Sequence, residues 1–180
     1  MIRAFLALDL PEAALTALRV QQFLLPLPRQ VDPEQFHLTL VFLGEVPEPV
    51  LEAAHERFAA LRMGRFSLRL QGLGLFGGAR PRAAWAGVAP SEPLQRVQAK
   101  LHHAALAAGC PAESRRYHPH VTLGRFPPPP PEGAMRLERA VAMGGGFVTP
   151  DWEVREVVLF QSHLSAKGPR YDALARYPLG

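Results

Sequence analysis

Residues 37–40 read His-Leu-Thr-Leu and residues 120–123 read His-Val-Thr-Leu, so one four-residue pattern occurs twice in the chain. With seven histidines and four threonines among 180 residues, chance would supply about 0.16 His-x-Thr sequences. Both copies lie in apolar runs with the composition of β-strands, residues 35–43 and 118–126. The repeat therefore predicts two strands that share one function.

Strand geometry explains the spacing inside each motif. Residues i and i+2 of a strand point to the same face, so we expect His37 beside Thr39 and His120 beside Thr122, with the residues between them facing the core. If the chain consists of two related halves, the two strands meet across a cleft. Hydroxyls donate to phosphate oxygens, while one imidazole accepts a proton and the other supplies one. This pattern predicts acid–base chemistry at a phosphate, without a metal or cofactor.

The remaining sequence predicts an α+β fold with about seven strands and three or four helices. Helical spacing covers residues 11–24, 48–61 and 92–108. Besides the motif runs, strand patterns cover residues 2–10, 66–75, 82–88, 154–163 and 171–176. Residues 66–75 and 82–88 are expected to pair in antiparallel fashion. The five prolines at 127–131 predict an exposed, extended loop, and the glycines at 144–146 predict a flexible link.

Composition favours a soluble protein with an anionic partner. The net charge is +4 and the isoelectric point is near 9.8, and most of the basic residues are arginines, whose planar fork matches phosphate oxygens. No apolar stretch reaches the roughly 18 residues of a membrane span. Cys110 is the only cysteine, which excludes an internal disulfide and suits a reducing compartment. We therefore expect a cytoplasmic protein that does not bind membranes.

Several other segments carry a resemblance to a known family. They are Arg3-Ala4-Phe5-Leu6-Ala7-Leu8-Asp9-Leu10-Pro11, Phe42-Leu43-Gly44, Phe76 with Pro81-Arg82-Ala83-Ala84-Trp85, His118-Pro119-His120-Val121-Thr122-Leu123-Gly124-Arg125, Gln161-Ser162-His163-Leu164 and Gly168-Pro169-Arg170-Tyr171. Together with the two motifs, they make the chain similar to the two-histidine phosphoesterases. Within that superfamily it resembles the bacterial and archaeal RNA 2′,3′-cyclic phosphodiesterases, also called 2′-5′ RNA ligases.

This resemblance implies a fold, an activity and a site. The fold is the bilobal LigT-like one, in which residues 1–180 form a single domain of two pseudo-symmetric lobes, each an antiparallel sheet flanked by helices, with the active-site cleft between them. The implied activity opens a 2′,3′-cyclic phosphate at an RNA end to a 2′-phosphate, with 2′-5′ ligation as its reverse. His37 and His120 are the implied catalytic pair, and Thr39, Thr122 and Arg125 the implied substrate-binding residues. No cofactor is implied, and we expect a monomer.

Three alternatives remain open at this point. His118 and His120, with His37, would supply the ligands of a three-histidine metal site, although threonine hydroxyls are poor ligands for zinc. The same acid–base pair would also serve a cyclic phosphate on a nucleotide or an ADP-ribose derivative. A module that binds RNA ends without turnover needs only the donors.

Other candidate residues receive weaker expectations. Arg115 and Arg116 precede the second motif, where they either contact an RNA backbone or are simply solvated. Phe42 and Phe76 offer faces on which a base could stack, but we expect them in the core. The sequence assigns no role to four other histidines, which are His55, His102, His103 and His163. The first three fall in helical segments and are expected to be solvated.

Overall fold

The computed structural model describes residues 1–180 of the chain. Its four α-helices are α1 (Glu12–Leu24), α2 (Glu48–Ala60), α3 (Glu92–Ala107) and α4 (Pro131–Met143). Its nine strands are β1 (Ile2–Leu8), β2 (Leu38–Val46), β3 (Phe66–Leu68), β4 (Leu70–Phe76), β5 (Ala83–Val88), β6 (His120–Arg125), β7 (Trp152–Val154), β8 (Glu156–His163) and β9 (Arg170–Pro178). None of the helices combines the length and hydropathy that a bilayer crossing requires.

The strands form three sheets in which every pair is antiparallel. A four-stranded sheet has the order β2-β1-β8-β9, a three-stranded sheet the order β4-β5-β6, and β3 pairs with β7. We call the four-stranded sheet with α2 and α3 the first lobe, and the three-stranded sheet with α1 and α4 the second lobe. The predicted α+β class and bilobal arrangement are confirmed.

Strand β1 lies inside the first-lobe sheet because its sequence is apolar on both faces. The five residues from Ala4 to Leu8 are all buried, as in a strand that is covered on both sides. Leu6 and Leu8 belong to a core of 35 buried residues that also takes side chains from the second lobe, such as Val121. The opposite face of β1 supports the cleft described below.

The helix that precedes each motif strand packs on the other motif strand. Helix α1 lies between β1 and β2 in the chain but contacts β6, whereas α3 lies between β5 and β6 but contacts β2. Each of these two helices therefore belongs to the lobe of the motif strand on which it packs, and not to the lobe of the motif strand that it precedes in the chain. This exchange ties the two motifs together through the packing of the core.

Two regions differ from the predictions made from sequence. Residues 66–75 are two strands, β3 and β4, which break at Arg69 and pair with different partners, β7 and β5. Helix α4, which periodicity did not reveal, begins at Pro131, so the extended-loop prediction is wrong for that residue. Proline suits a first helical position because its missing N–H would be unpaired there in any case.

Candidate active site

The two motifs lie on edge strands that approach each other. Strand β2 is one edge of the first-lobe sheet and β6 is one edge of the second-lobe sheet, and the two strands are in contact. A cleft of about 940 Å³ is lined by all five predicted site residues, His37, Thr39, His120, Thr122 and Arg125. The residues inside the motifs, Leu38 and Val121, are fully buried, as the period of a strand predicts.

A β-bulge brings Arg125 into the cleft. The register of β5 on β6 skips Leu123, because Trp85 pairs with Thr122 and Ala83 pairs with Arg125. Ala83 and Trp85 are two residues apart and share a face, so Thr122 and Arg125 share a face as well. Strict alternation would have put this arginine on the face opposite the motif. The bulge therefore brings the Arg125 guanidinium into the cleft beside the motif residues.

The first motif contains a bulge at the same position. The register of β1 on β2 skips Leu40, since Ala7 pairs with Thr39 and Phe5 pairs with Phe42. Phe42 therefore joins the cleft face instead of entering the core, and the sequence-based expectation for it is wrong. It is half-buried.

Backbone carbonyls fix the tautomer of both imidazoles. The Nδ1 atom of His37 lies 2.6 Å from the carbonyl oxygen of Gln35, and that of His120 lies 2.6 Å from the carbonyl oxygen of His118. A carbonyl oxygen only accepts, so Nδ1 carries the hydrogen and donates in both cases. Each neutral ring thus keeps Nε2 as a base, and each cationic ring presents an Nε2–H as an acid.

Two further hydrogen bonds organise the first motif. The Nε2 atom of His37 lies 2.9 Å from Oγ1 of Thr39, so the imidazole and the hydroxyl predicted to share a face are in direct contact. The Tyr117 hydroxyl donates to the Thr39 carbonyl oxygen at 2.9 Å. Because Tyr117 comes just before the second motif, this bond links the two motif segments.

Aromatic rings pack against both imidazoles. The His37 ring lies 4.9 Å from the ring of Phe5 and 5.2 Å from that of Tyr171, measured between centroids. The His120 ring lies 4.9 Å from Phe76 in an edge-to-face arrangement. These partners come from β1, β9 and β4, and no local sequence signal indicates the contacts. Phe76, which we expected in the core, is half-buried and borders the site.

The environment lowers the pKa of both histidines. Burial is the main cause for each, because desolvation disfavours the cationic imidazole, and the Arg125 guanidinium lowers both pKa values further. The hydrogen bonds to the carbonyl oxygens act in the opposite direction, as does the Asp9 carboxylate at His37. Both rings are therefore mainly neutral near pH 7 in the free protein, and an anionic ligand would favour protonation of one of them.

A second compartment of about 590 Å³ adjoins the cleft and shares Thr39 and His120 with it. Its walls combine aromatic and basic side chains: Phe42, Phe76, Arg82, Arg115, Arg116 and Tyr117. Arg115 is paired with the Glu113 carboxylate at 2.7 Å. The compartment therefore offers aromatic faces together with positive charge directly beside one motif histidine.

The far wall of the cleft itself is polar and was not predicted. It includes Arg29, from the segment after α1, and Lys167, from the loop between β8 and β9. The segment that carries Arg29 and the loop that carries Lys167 are in contact, because the Gln35 side chain donates to the carbonyl oxygen of Pro169. Their residues are distant in sequence and match no motif, so only the fold brings them together.

Three of the other histidines have local partners, each at a different place. His55 bonds the Tyr177 hydroxyl at 2.8 Å, and His102 donates to the Glu113 carbonyl oxygen at 2.7 Å, so these two are more than solvated. His163 lies 2.9 Å from the Asp172 carboxylate. No three His, Cys, Asp or Glu side chains converge as metal ligands do, and the three-histidine metal hypothesis therefore has no geometric support.

Comparison with known proteins agrees with this geometry. Residues 9–165 match the family described as the 2′-5′ RNA ligase superfamily. The RNA 2′,3′-cyclic phosphodiesterase of Aeropyrum pernix is 37% identical over 81% of this chain and 83% of its own length, and that of Thermus thermophilus is 32% identical over 99% and 90%. Escherichia coli LigT complexed with 3′-AMP superposes with a TM-score of 0.80 at 27% identity, covering 99% of this chain and 98% of that one. The chain belongs to the 2′-5′ RNA ligase superfamily, as its paired motifs predicted.

Proposed function

We propose that this protein hydrolyses the 2′,3′-cyclic phosphate at an RNA end to a 2′-phosphate, using His37 and His120 as its acid–base pair. One observation carries the proposal: two imidazoles, both with Nδ1 bound to a carbonyl oxygen, line one cleft with two threonines and an arginine. The related proteins named RNA 2′,3′-cyclic phosphodiesterase support the choice of substrate.

The reaction assigns one proton transfer to each histidine. His120 accepts a proton from water through Nε2 while the water oxygen attacks phosphorus. The bond from phosphorus to the 3′-oxygen breaks, and Nε2–H of His37 donates to that oxygen. The product is a 2′-phosphate with a free 3′-hydroxyl. The two roles exchange in the reverse direction, and the near symmetry of the motifs also permits the opposite assignment.

Thr39, Thr122 and Arg125 are proposed to bind the phosphate. The threonine hydroxyls donate to its non-bridging oxygens, and the guanidinium balances the negative charge that grows as water attacks. The bulge at Leu123 supports this assignment, because it turns Arg125 to the face that carries Thr122. All the charge-stabilising groups in this scheme are protein side chains, so the reaction requires no metal ion.

The two compartments suggest how the rest of the substrate binds. The base next to the cyclic phosphate would stack in the compartment of Phe42 and Phe76, whose arginines would follow the backbone phosphates. The polar wall with Arg29 and Lys167 lies on the remaining side. Water needs little of this space, so a second RNA end with a 5′-hydroxyl would fit there and replace water as nucleophile. That reaction is 2′-5′ ligation.

A single incubation tests the proposed reaction. An oligonucleotide ending in a 2′,3′-cyclic phosphate is treated with the protein in EDTA, and the terminal phosphate is located by mass spectrometry and chemical mapping. A 2′-phosphate product supports the proposal. Activity that disappears in EDTA and returns with zinc would instead indicate a metal enzyme, and binding without turnover would indicate an RNA-end-binding module.

Parallel substrates decide the substrate class. A cyclic mononucleotide and a cyclic phosphate of an ADP-ribose derivative are compared with the oligonucleotide at equal concentration. We expect the highest kcat/KM for the oligonucleotide, because the arginines of the second compartment contact a phosphate that the mononucleotide lacks. Faster turnover of either small substrate would favour that alternative.

We further propose that the chain acts as a monomer in which both lobes fold as one unit. Both motifs, both compartments and all the aromatic supports come from a single chain. The shared core of 35 residues joins the lobes. Such a site is complete without a partner subunit. We place the protein in the cytoplasm, where RNA ends are available.

A further inference from the structure

Two glutamines donate hydrogen bonds to bulged residues of the motif strands, and each lies on the helix that packs on that strand. Nε2 of Gln22, on α1, donates to the carbonyl oxygen of Leu123 at 2.9 Å. Nε2 of Gln98, on α3, donates to the carbonyl oxygen of Leu40 at 3.3 Å. Each acceptor is the residue after the motif threonine, so the two bonds are related by the pseudo-symmetry of the lobes.

Both of these carbonyl groups belong to residues at a β-bulge. Leu40 and Leu123 are both skipped by the strand registers, as is Leu43 further along β2, so neither Leu40 nor Leu123 has a paired neighbour across the sheet. A bulge persists only where the surrounding structure satisfies the backbone that leaves the ladder. In both motifs a side chain from a helix supplies a donor to the bulged residue: Gln22 of α1 at Leu123 and Gln98 of α3 at Leu40.

Gln22 is the more strongly anchored of the two. It is one of only three buried polar residues, with 4% of its surface exposed. Its amide also donates to the carbonyl oxygen of Val31 at 2.7 Å, and the Val31 N–H donates to Leu123 at 2.9 Å. A buried amide with two acceptors at these distances is costly to replace. Gln98 makes a single, longer bond in a less buried place.

We propose that Gln22 and Gln98 are positioning residues for the reaction, which hold the bulges that turn Arg125 into the cleft and Phe42 into the second compartment. The inference rests on the proposed function, and it adds a residue in each helix that no motif contains. Gln22 acts through Leu123 on Thr122 and Arg125. Gln98 acts through Leu40 on the first motif strand. Gln22 lines neither compartment, whereas Gln98 lies outside the phosphate-binding cleft but lines the second compartment.

The test replaces each amide by an apolar side chain of similar length. Gln22→Met should lower kcat on the order of 10- to 100-fold with a small change in KM, since misplaced catalytic groups cost rate more than binding. Gln98→Met should cost less, because its bond is longer. Gln21→Met and Gln95→Met are the matched controls on the same helices, both outside the cleft and more exposed than Gln22. They should retain native turnover.

A second readout separates positioning from general stability. If Gln22 keeps Arg125 near the imidazoles, Gln22→Met should raise the pKa values of His37 and His120 in the free protein, measured by NMR titration. Arg125→Gln should raise them in the same direction, and the double variant should be no worse in kcat than Arg125→Gln alone. The NMR measurement does not depend on activity. An inactive wild-type protein would therefore refute the proposed function, whereas the histidine pKa values of Gln22→Met would still show whether Gln22 positions Arg125.

Two results would overturn the inference. One is native kcat in Gln22→Met and Gln98→Met when circular dichroism shows an intact fold. The other is a loss of kcat that adds fully to that of Arg125→Gln while the histidine pKa values stay unchanged, because that pattern describes a purely structural residue. If Gln22→Met does not fold, the less buried Gln98→Met decides the question. Because Gln98 lines the second compartment, its kcat must fall with little change in KM while that of Gln95→Met stays native, since a lost substrate contact would raise KM.

Discussion

Replacement of either motif histidine by alanine should abolish most of the turnover and little of the binding. In the proposed mechanism each imidazole carries one proton transfer through Nε2, so we expect His37→Ala and His120→Ala each to lower kcat by about 10²- to 10⁴-fold. At about 1.36 kcal/mol per tenfold, this equals about 3 to 5 kcal/mol of transition-state stabilisation. The double variant should be little slower than the slower single variant, because the two transfers belong to one concerted step.

The structure also specifies the pH dependence of the native enzyme. The rate as a function of pH should be bell-shaped, because the working state needs one neutral and one cationic imidazole. Burial and the Arg125 guanidinium lower the pKa of both rings from 6.5. Both limbs of the kcat/KM profile, which reports the free enzyme, should therefore lie on the acidic side of an ordinary histidine. Activity falls on the alkaline limb as pH rises through the lowered pKa of the acid, and on the acidic limb as pH falls through the lowered pKa of the base.

The assay combines turnover, binding and a fold check. Cleavage of a cyclic-phosphate-ended oligonucleotide gives kcat and KM, and calorimetry with the 2′-phosphate product gives binding. Circular dichroism must show an intact fold, because His37 packs on Phe5 and Tyr171 and its loss disturbs that packing. His103→Ala, at an exposed helical position, is the matched control and should remain active. A folded His37→Ala or His120→Ala variant with near-native kcat would refute the two-histidine mechanism.

Three further outcomes follow from the same geometry. Thr39→Val and Thr122→Val should fold normally and lower kcat about 10- to 100-fold, because each loses one donor to a charged phosphate; unchanged kinetics in both would contradict the hydroxyl role. Arg125→Gln should weaken substrate binding and shift both limbs of the kcat/KM profile to higher pH, since its charge lowers both histidine pKa values; a profile that does not move would place the guanidinium away from the rings. Gly74→Ala should lower the free energy of unfolding by about 1 to 3 kcal/mol, because its Cβ would lie 2.2 Å from a tryptophan ring, whereas Gly64→Ala, with nothing within 4 Å, should change the urea midpoint little.

Much of the fold could be predicted from local patterns in the sequence. Apolar runs predicted the strands β1, β2, β5, β6 and β8, and helical spacing predicted α1, α2 and α3, because burial imposes a period of two or 3.6 residues on each element alone. By the same rule, the duplicated His-x-Thr pattern predicted that His37 lies beside Thr39 and His120 beside Thr122, and all four residues line one cleft. The sequence failed for α4 and for the break at Arg69, where proline and a change of partner sheet override the periodic signal.

The sequence by itself determined which residue types the cleft contains, and the tertiary structure decided how they are aimed. A bulge is a property of two paired strands, so no pattern within β6 or β2 reveals that Leu123 and Leu40 are skipped. Alternation alone turns Arg125 away from the cleft. The pairing with β5 brings its guanidinium to the face of His120 and Thr122. The same holds for the polar wall at Arg29 and Lys167, which the chain assembles from segments far apart because the lobes close on one core.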